Sequence, residues 1–366
     1  MKLTCTVILV LLNLKLGYSQ VGYNLNVNVE DYDVFMVGET HGVAENYQVW
    51  IDTYTQLSKQ HPVSIIGEVD YATSKYIDDA IKRNDTLLMR EILLSFGSSP
   101  WRTEEKYQFY KYLAVNDFAG SFVGVDIPAA GLKYTEKYIN GLIEKYSISN
   151  HTYTGVYESL ISGDQVQIDV IFKIPITYNM TSVDSIDWSV IARNIVYRDR
   201  ALSVPDSDWD RTRDKFIYDN YVSLIDHLVS DSIKFLGLWG LDHIYQRASN
   251  GVEWFSSLVA KHTDQRIYSV MLLYEDSQFL APYYWVSRRK KTVSDFVVTN
   301  KFNDDKSIKI IRRALKKNGR ETMDAGVVLK LPSNSMIRGS SGQLVDYISE
   351  IRIISGSKPM TELKDN

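Results

Sequence analysis

Short apolar runs alternate with segments of helical period over the first 146 residues. Asp33 to Val37 is strand-like, mostly β-branched or aromatic, and ends at Gly38. From Ala44 to Leu57 the apolar residues Tyr47, Trp50, Ile51 and Tyr54 recur at helical spacing. Val63 to Ile66 is a second strand, ended by Gly67, and a helix follows over Thr73 to Lys82. Another helix covers Thr103 to Val115, Ser121 to Val125 is a third strand, and Leu132 to Tyr146 is again helical. Strands separated by helices of this length are joined by right-handed crossovers. The pattern therefore predicts an α/β fold with a mainly parallel central sheet and flanking helices.

The texture changes from about 147 to 230, where strands are few and helices are predicted over 185–202 and 207–230. This stretch reads as a helical cap insertion. Ile233 to Leu238 then forms a short apolar run before Trp239 and Gly240, and Arg266 to Tyr274 is a strand with period-two apolar residues. Residues 299–322 are charged and read as flexible, Ala325 to Leu331 is strand-like, and the tail after Ile354 reads as polar and frayed. The expected organisation is a signal peptide over 1–19 and one α/β domain over 20–366. Its core would be 31–146 and 231–366, with the cap at about 147–230.

The signal peptide rests on Lys2, the apolar stretch Leu3 to Leu14, and Gly17-Tyr18-Ser19 before an expected cleavage at Gln20. That stretch is too short to span a bilayer, so export to the periplasm or the medium is expected without a stable membrane span. Cys5 is the one cysteine, so the mature chain has no disulfide, thiolate nucleophile or cysteine-bound metal. The formal charge is −4, which gives nucleic-acid binding no electrostatic support. The run Arg288-Arg289-Lys290-Lys291 reads as a solvated loop, and no protein partner is evident.

Four predicted strands end in polar residues: Gly38-Glu39-Thr40-His41, Gly67-Glu68, Gly124-Val125-Asp126, and Gly237 through Asp242 to His243. In open α/β sheets ligands bind beyond the carboxyl ends of the strands. Gly38 would let the chain turn sharply out of its strand and present Glu39 and His41 together. An imidazole with a carboxylate partner can act as a general base. Glu68 could hold that imidazole in one tautomer or take the proton itself, and Asp126 could do so from further off. The chain has no G-x-S-x-G elbow, phosphate loop, dinucleotide fingerprint or H-E-x-x-H helix. Attack by an activated water is then the simplest hydrolytic route to a small-molecule substrate.

The string Val37-Gly38-Glu39-Thr40-His41-Gly42 resembles the opening motif of the erythromycin esterase family and its ChaN-type haem-binding and Tiki-type metalloprotease relatives. Further segments follow in the same order. They are Ile66-Gly67-Glu68, Trp101-Arg102-Thr103-Glu104-Glu105 with Asn116, Gly124-Val125-Asp126, Arg213-Asp214 with Asn220, and Trp239 to His243. The resemblance implies an α/β core with a helical cap and a cleft between them. It implies His41 as general base beside Glu39 and Glu68, with Arg213 and His243 binding or polarising the substrate. Asp126, Asp214 and Trp239 fall in the matching segments and are assigned to substrate binding. The first motif is one residue shorter between glutamate and histidine than in the esterases. The resulting G-x-x-H form at Gly38–His41 and Gly240–His243 is closer to the other two branches.

The leading expectation is a hydrolase that cleaves an ester or lactone with no cofactor. One alternative is a metal-dependent hydrolase or peptidase, with His41, His243 and Glu68 holding a divalent ion. A second is a haem-binding protein, given exported histidines and 25 tyrosines.

Overall fold

The computed structural model describes residues 25, 27–96, 101–129, 131–149, 151–228, 233–248, 251–275, 278–280, 297–299, 327–330, 336–338, 344–346, 348–355 and 358–364. The expected signal peptide, the basic run at 288–291 and nearly all of 299–322 lie outside them. The central sheet contains β1 (Val34–Glu39), β2 (Val63–Asp70), β3 (Phe122–Asp126), β4 (Lys234–Gly240) and β5 (Ile267–Glu275). Strands β6 (Gln278–Leu280) and β7 (Val297–Thr299) pair in a separate ribbon. Strand β8 (Val327–Lys330) belongs to the sheet, β9 (Met336–Arg338) and β10 (Leu344–Asp346) form a second ribbon, and β11 (Glu350–Ser355) returns to the sheet. The sheet order is β3-β2-β4-β1-β5-β11-β8. All neighbours run parallel except β8, which is antiparallel to β11 at the edge.

Helices α1 (Glu45–Ser58), α2 (Tyr71–Lys82), α3 (Thr86–Ser95), α4 (Glu104–Val115) and α5 (Lys133–Lys145) link the early strands. Helices α6 (Tyr153–Ile161), α7 (Gln165–Thr177), α8 (Ser182–Ser203) and α9 (Asp206–Leu228) form the cap insertion, and α10 (Phe255–His262) follows β4. The period-two alternation of the strands sorts the core into two layers. Val34, Met36, Phe235 and Trp239 pack with Trp188, Tyr221 and Phe255 from the cap side. Phe35, Val37, Leu236 and Leu238 pack with Trp50, Phe109 and Tyr110 from α1 and α4.

Two glycines read as strand-ending turns lie inside strands instead. Gly38 pairs with Trp239, and a Cβ there would stand 2.6 Å from the Ile244 side chain. A Cβ on Gly67 would stand 2.9 Å from the Phe122 ring, and β2 runs on to Asp70 with a register shift after Gly67. Both are small because neighbours press on them. The turn belongs to Gly42, whose φ is +92°. Asp70 caps α2 by accepting from Thr73 N at 3.0 Å, so that helix begins at Tyr71 rather than Thr73.

The cap holds two more helices than its sequence pattern shows. α7 is rich in β-branched residues and carries Pro175, which argue against a helix locally. Asp164 caps it, accepting from Val166 N at 3.0 Å and Gln167 N at 3.4 Å. Ile171, Ile174 and Pro175 are buried along its inner face. Tertiary packing overrides propensity here.

Among the described residues the tail, 358–364, is docked rather than frayed. Pro359 bridges to Val43 and Glu362 to Thr103. Met360 N donates to Gly42 O at 2.8 Å, and Leu363 N donates to Arg102 O at 3.1 Å. Thr361 O accepts from Glu104 N at 2.8 Å, and Leu363 is fully buried. A polar composition hid two buried apolar anchors, Met360 and Leu363. The tail thus ties the loop after β1 to the start of α4. Replacing Leu363 by Ala is expected to lower the unfolding free energy by roughly 2–4 kcal/mol, as for buried Leu→Ala changes. Exposed Lys364→Ala should change it by less than about 0.5 kcal/mol. Urea denaturation checks the difference, and equal midpoints for the two variants would contradict a docked tail.

Candidate active site

Four neighbouring strands end on the same edge of the sheet. β1 delivers Glu39 and then His41, β2 Glu68, β3 Asp126, and the 3₁₀ turn Leu241–Ile244 after β4 delivers His243. Helix α9 adds Arg213 and Asp214 from the cap. Residues as far apart in sequence as 39 and 243 meet because the strands that carry them are parallel and adjacent.

His41 Nδ1 lies 2.5 Å from Glu39 Oε1. The carboxylate can only accept, so Nδ1 carries the proton and Nε2 is left as the basic atom. Glu39 is itself fixed. Asn46 Nδ2 donates to its second oxygen, and Asn46 Oδ1 accepts from Tyr274 Oη at 2.5 Å. Tyr274 Oη in turn accepts from Thr40 N at 3.3 Å. This network fixes the tautomer and tilt of His41 from three elements at once.

Glu68 sits between the two imidazoles, 3.8 Å from His41 Nε2 and 3.6 Å from His243 Nε2. Its hydrogen bonds go elsewhere, to Arg213 Nη2 at 2.6 Å and Gly240 N at 3.1 Å. Arg213 also forks onto Asp126, with Nε donating at 3.0 Å and Nη2 at 2.5 Å. His243 Nδ1 donates to Asp214 at 3.0 Å, and Asp214 also accepts from Phe255 N at 2.6 Å. A Cβ on Gly240 would lie 3.2 Å from His41 Nε2 and 3.5 Å from His243 Cδ2, so this glycine leaves room for both rings.

The charges follow from these partners. Burial pushes the His41 imidazole down, but the Glu39 charge and hydrogen bond, with Glu68, raise it above its ordinary 6.5, against an opposing pull from His243. For His243 burial again lowers, and Asp214 with Glu68 overcomes it and raises the ring to about 10. Arg213 Nη1 stands only 3.5 Å from His243 Nε2, a like-charge contact that Glu68 bridges. Burial would raise the Glu68 carboxyl, yet Arg213 first, then His243 and His41, hold it well below the usual 4.5.

Six of the eight residues expected from the sequence converge at this strand edge: Glu39, His41 and Glu68 line one cavity, Arg213 is half-buried against Glu68 and Asp126, and Asp126 and His243 are buried. The other two contact His243 from the core. Asp214 is fully buried behind His243. Trp239 is fully buried, its ring 5.4 Å from His243 and 5.1 Å from Phe255. Asn46, Tyr274, Trp101 and Lys106 complete the site. Asn46 sits on the buried stripe of α1 with Val49, Trp50 and Thr53, and an Asn on such a stripe was the readable signal. Tyr274 gives no comparable signal among so many tyrosines. The Trp101 ring packs edge-on against His41 at 4.2 Å.

A cavity of about 40 Å³ opens beside His41, lined by Glu39, Glu68, Trp101, Lys106 and Met360 among others. A water molecule needs roughly 10–15 Å³ by this measure, so a few fit. The cavity is far smaller than a macrocycle. Among the described residues no group of three or more His, Asp or Glu side chains is arranged to hold a metal ion. At His41, Glu68 and His243 the Arg213 guanidinium already occupies the carboxylate, and a metal placed there would face that charge. The set does not fit a divalent ion.

Stability should depend on pH through these groups. A raised histidine stabilises the fold fully below its unfolded value near 6.5, and loses that contribution as pH climbs towards about 10. His243→Asn removes this dependence. Between pH 7 and 10 its urea midpoint should fall less steeply than that of the wild type. Parallel slopes would show that His243 is not charged in the folded protein.

No family model matches the chain, and no curated protein matches it in sequence. Solved structures share its fold. A Bacillus cereus protein superposes with a TM-score of 0.65 at 13% identity, over 91% of each chain. A mutant of the erythromycin esterase EreC in its open conformation gives 0.61 at 14% identity, over 92% of this chain and 93% of that one. A succinoglycan biosynthesis protein gives 0.56 at 12%, over 91% and 90%. The α/β fold is thus shared with these proteins.

Proposed function

We propose that this protein is an exported hydrolase that cleaves an ester or lactone by activating water at His41. One observation carries the reading. The His41 Nδ1–H is committed to a buried carboxylate while Nε2 faces a water-sized cavity bordered by a second carboxylate. That is the arrangement of a general base. The shared fold with an erythromycin esterase supports it.

In the reaction His41 Nε2 takes a proton from water as its oxygen attacks the carbonyl carbon. Glu39 stabilises the imidazolium that forms. The carbonyl oxygen becomes an oxyanion. Charged His243, whose Nε2 stands 3.6 Å from Glu68, supplies positive charge that favours that oxyanion. Collapse breaks the C–O bond, and His41 returns its proton to the departing alkoxide. The products are an acid and an alcohol, or a hydroxy acid from a lactone. Arg213 and Asp126 hold Glu68 in place. Asp214 and Trp239 act through His243 as positioning residues, because neither reaches the cavity.

His41→Ala is expected to lower kcat/KM on a substrate found by ester and lactone screening by about 10²–10⁴-fold. Because the active form of His41 is neutral and its pKa is raised, activity should climb with pH through neutrality and then level off. Glu39→Gln should move that inflection to lower pH by removing the charge that raises it. Full activity in His41→Ala, or loss on chelation with recovery on adding Mn²⁺ or Zn²⁺, would overturn the metal-free mechanism. Export predicts that protein secreted by an expressing cell begins at Gln20. An intact Met1 on secreted material would argue against cleavage.

A further inference from the structure

Every carboxylate of the site has a cationic or N–H partner. Glu39 has His41 and Asn46, Glu68 has Arg213 and Gly240 N, Asp126 has Arg213, and Asp214 has His243. The cations are not all so matched. Lys106, in the first turn of α4, lines the same cavity as His41 and Glu68. Its ammonium lies over two aromatic faces, 5.3 Å from the Phe96 ring centre and 5.7 Å from that of Trp101. Among the described residues no carboxylate or carbonyl accepts a hydrogen bond from it. Trp101 stands between this ammonium and the His41 ring, in contact with both. Cation–π contact is worth less than a charged hydrogen bond, so the site keeps a partly desolvated cation without an acceptor. Burial lowers its pKa to about 8, with Glu68 and Glu39 pulling the other way, so it remains mostly charged at neutral pH.

We propose that Lys106 binds an anionic group of the ligand, a carboxylate or a phosphate, at the end of the cavity across Trp101 from His41. The proposal deepens the hydrolase reading and rests on it for calling that ligand a substrate. The substrate class is then an acidic ester or lactone rather than a neutral one. Arg213 cannot serve this role, because Asp126 and Glu68 already occupy its fork. The acidic residues of the site do not forbid an anion, since their charges are spent on their own partners.

The test is titration calorimetry of the full-length protein with butyrate, with methyl phosphate, and with butyramide as the neutral control. One or both anions should bind, and butyramide should bind at least about tenfold more weakly. The tighter anion distinguishes carboxylate from phosphate. Lys106→Met should lose at least about tenfold in anion affinity, and Lys106→Arg should retain most of it. In the wild type, saturating anion should slow acylation of Lys106 by acetic anhydride, a readout that needs no variant to fold. Anion affinity unchanged in Lys106→Met, no anion binding, or acylation unaffected by the anion each overturn the proposal. His41→Asn should bind the anion as the wild type does. If no ester or lactone is turned over while the anion still binds through Lys106, the hydrolase reading fails and the anion site stands.

Discussion

The buried guanidinium of Arg213 is what joins the cap to the sheet at the site. It bonds Asp126 from β3 and Glu68 from β2, so one residue of α9 bridges two strands. Removing one partner from such a buried pair typically costs roughly 3–5 kcal/mol, because it strands the remaining charge. The pair also fixes Glu68 so that its second oxygen accepts from Gly240 N. The position of Glu68 between the two histidines is therefore set from the cap, through a charge, rather than by local backbone preference.

That constraint gives the two histidines different jobs. Both point Nδ1 at a carboxylate and Nε2 towards Glu68. His243 is buried against Asp214, Trp239 and Trp254. It is held charged. His41 borders the cavity, and Glu39 and Glu68 raise its pKa against burial and the opposing charge of His243. One ring stands at the cavity where a proton can be exchanged, and the other is held positive. Pairs of titratable groups pushed apart by their surroundings are how acid and base roles are divided at one pH.

The tail contributes by geometry. By joining the loop after His41 to the start of α4, it sets where Trp101 and Lys106 stand relative to His41. Met360 closes the same cavity from the tail side. The site is thus assembled from five parts of the chain: the strand ends, α1, the start of α4, α9 and the tail.

Much of this was legible in the sequence. Alternating apolar runs and helical periods fixed the α/β class, and polar residues after strands marked Glu39, His41, Glu68, Asp126 and His243, because a parallel sheet leaves little choice of where strand ends meet. Two kinds of fact were not legible. Gly38 and Gly67 look like turns in sequence, but neighbours from β4, β3 and the turn after β4 make them close contacts within strands. Asp214 and Trp239 look like ligand contacts, but depth in the core turns them into supports for His243. Asn46, Tyr274 and Lys106 act only through residues far away in the chain. Sequence determines which groups can do chemistry. Burial and charge partners, which depend on contacts between distant segments, decide which of them face the cavity and in what protonation state.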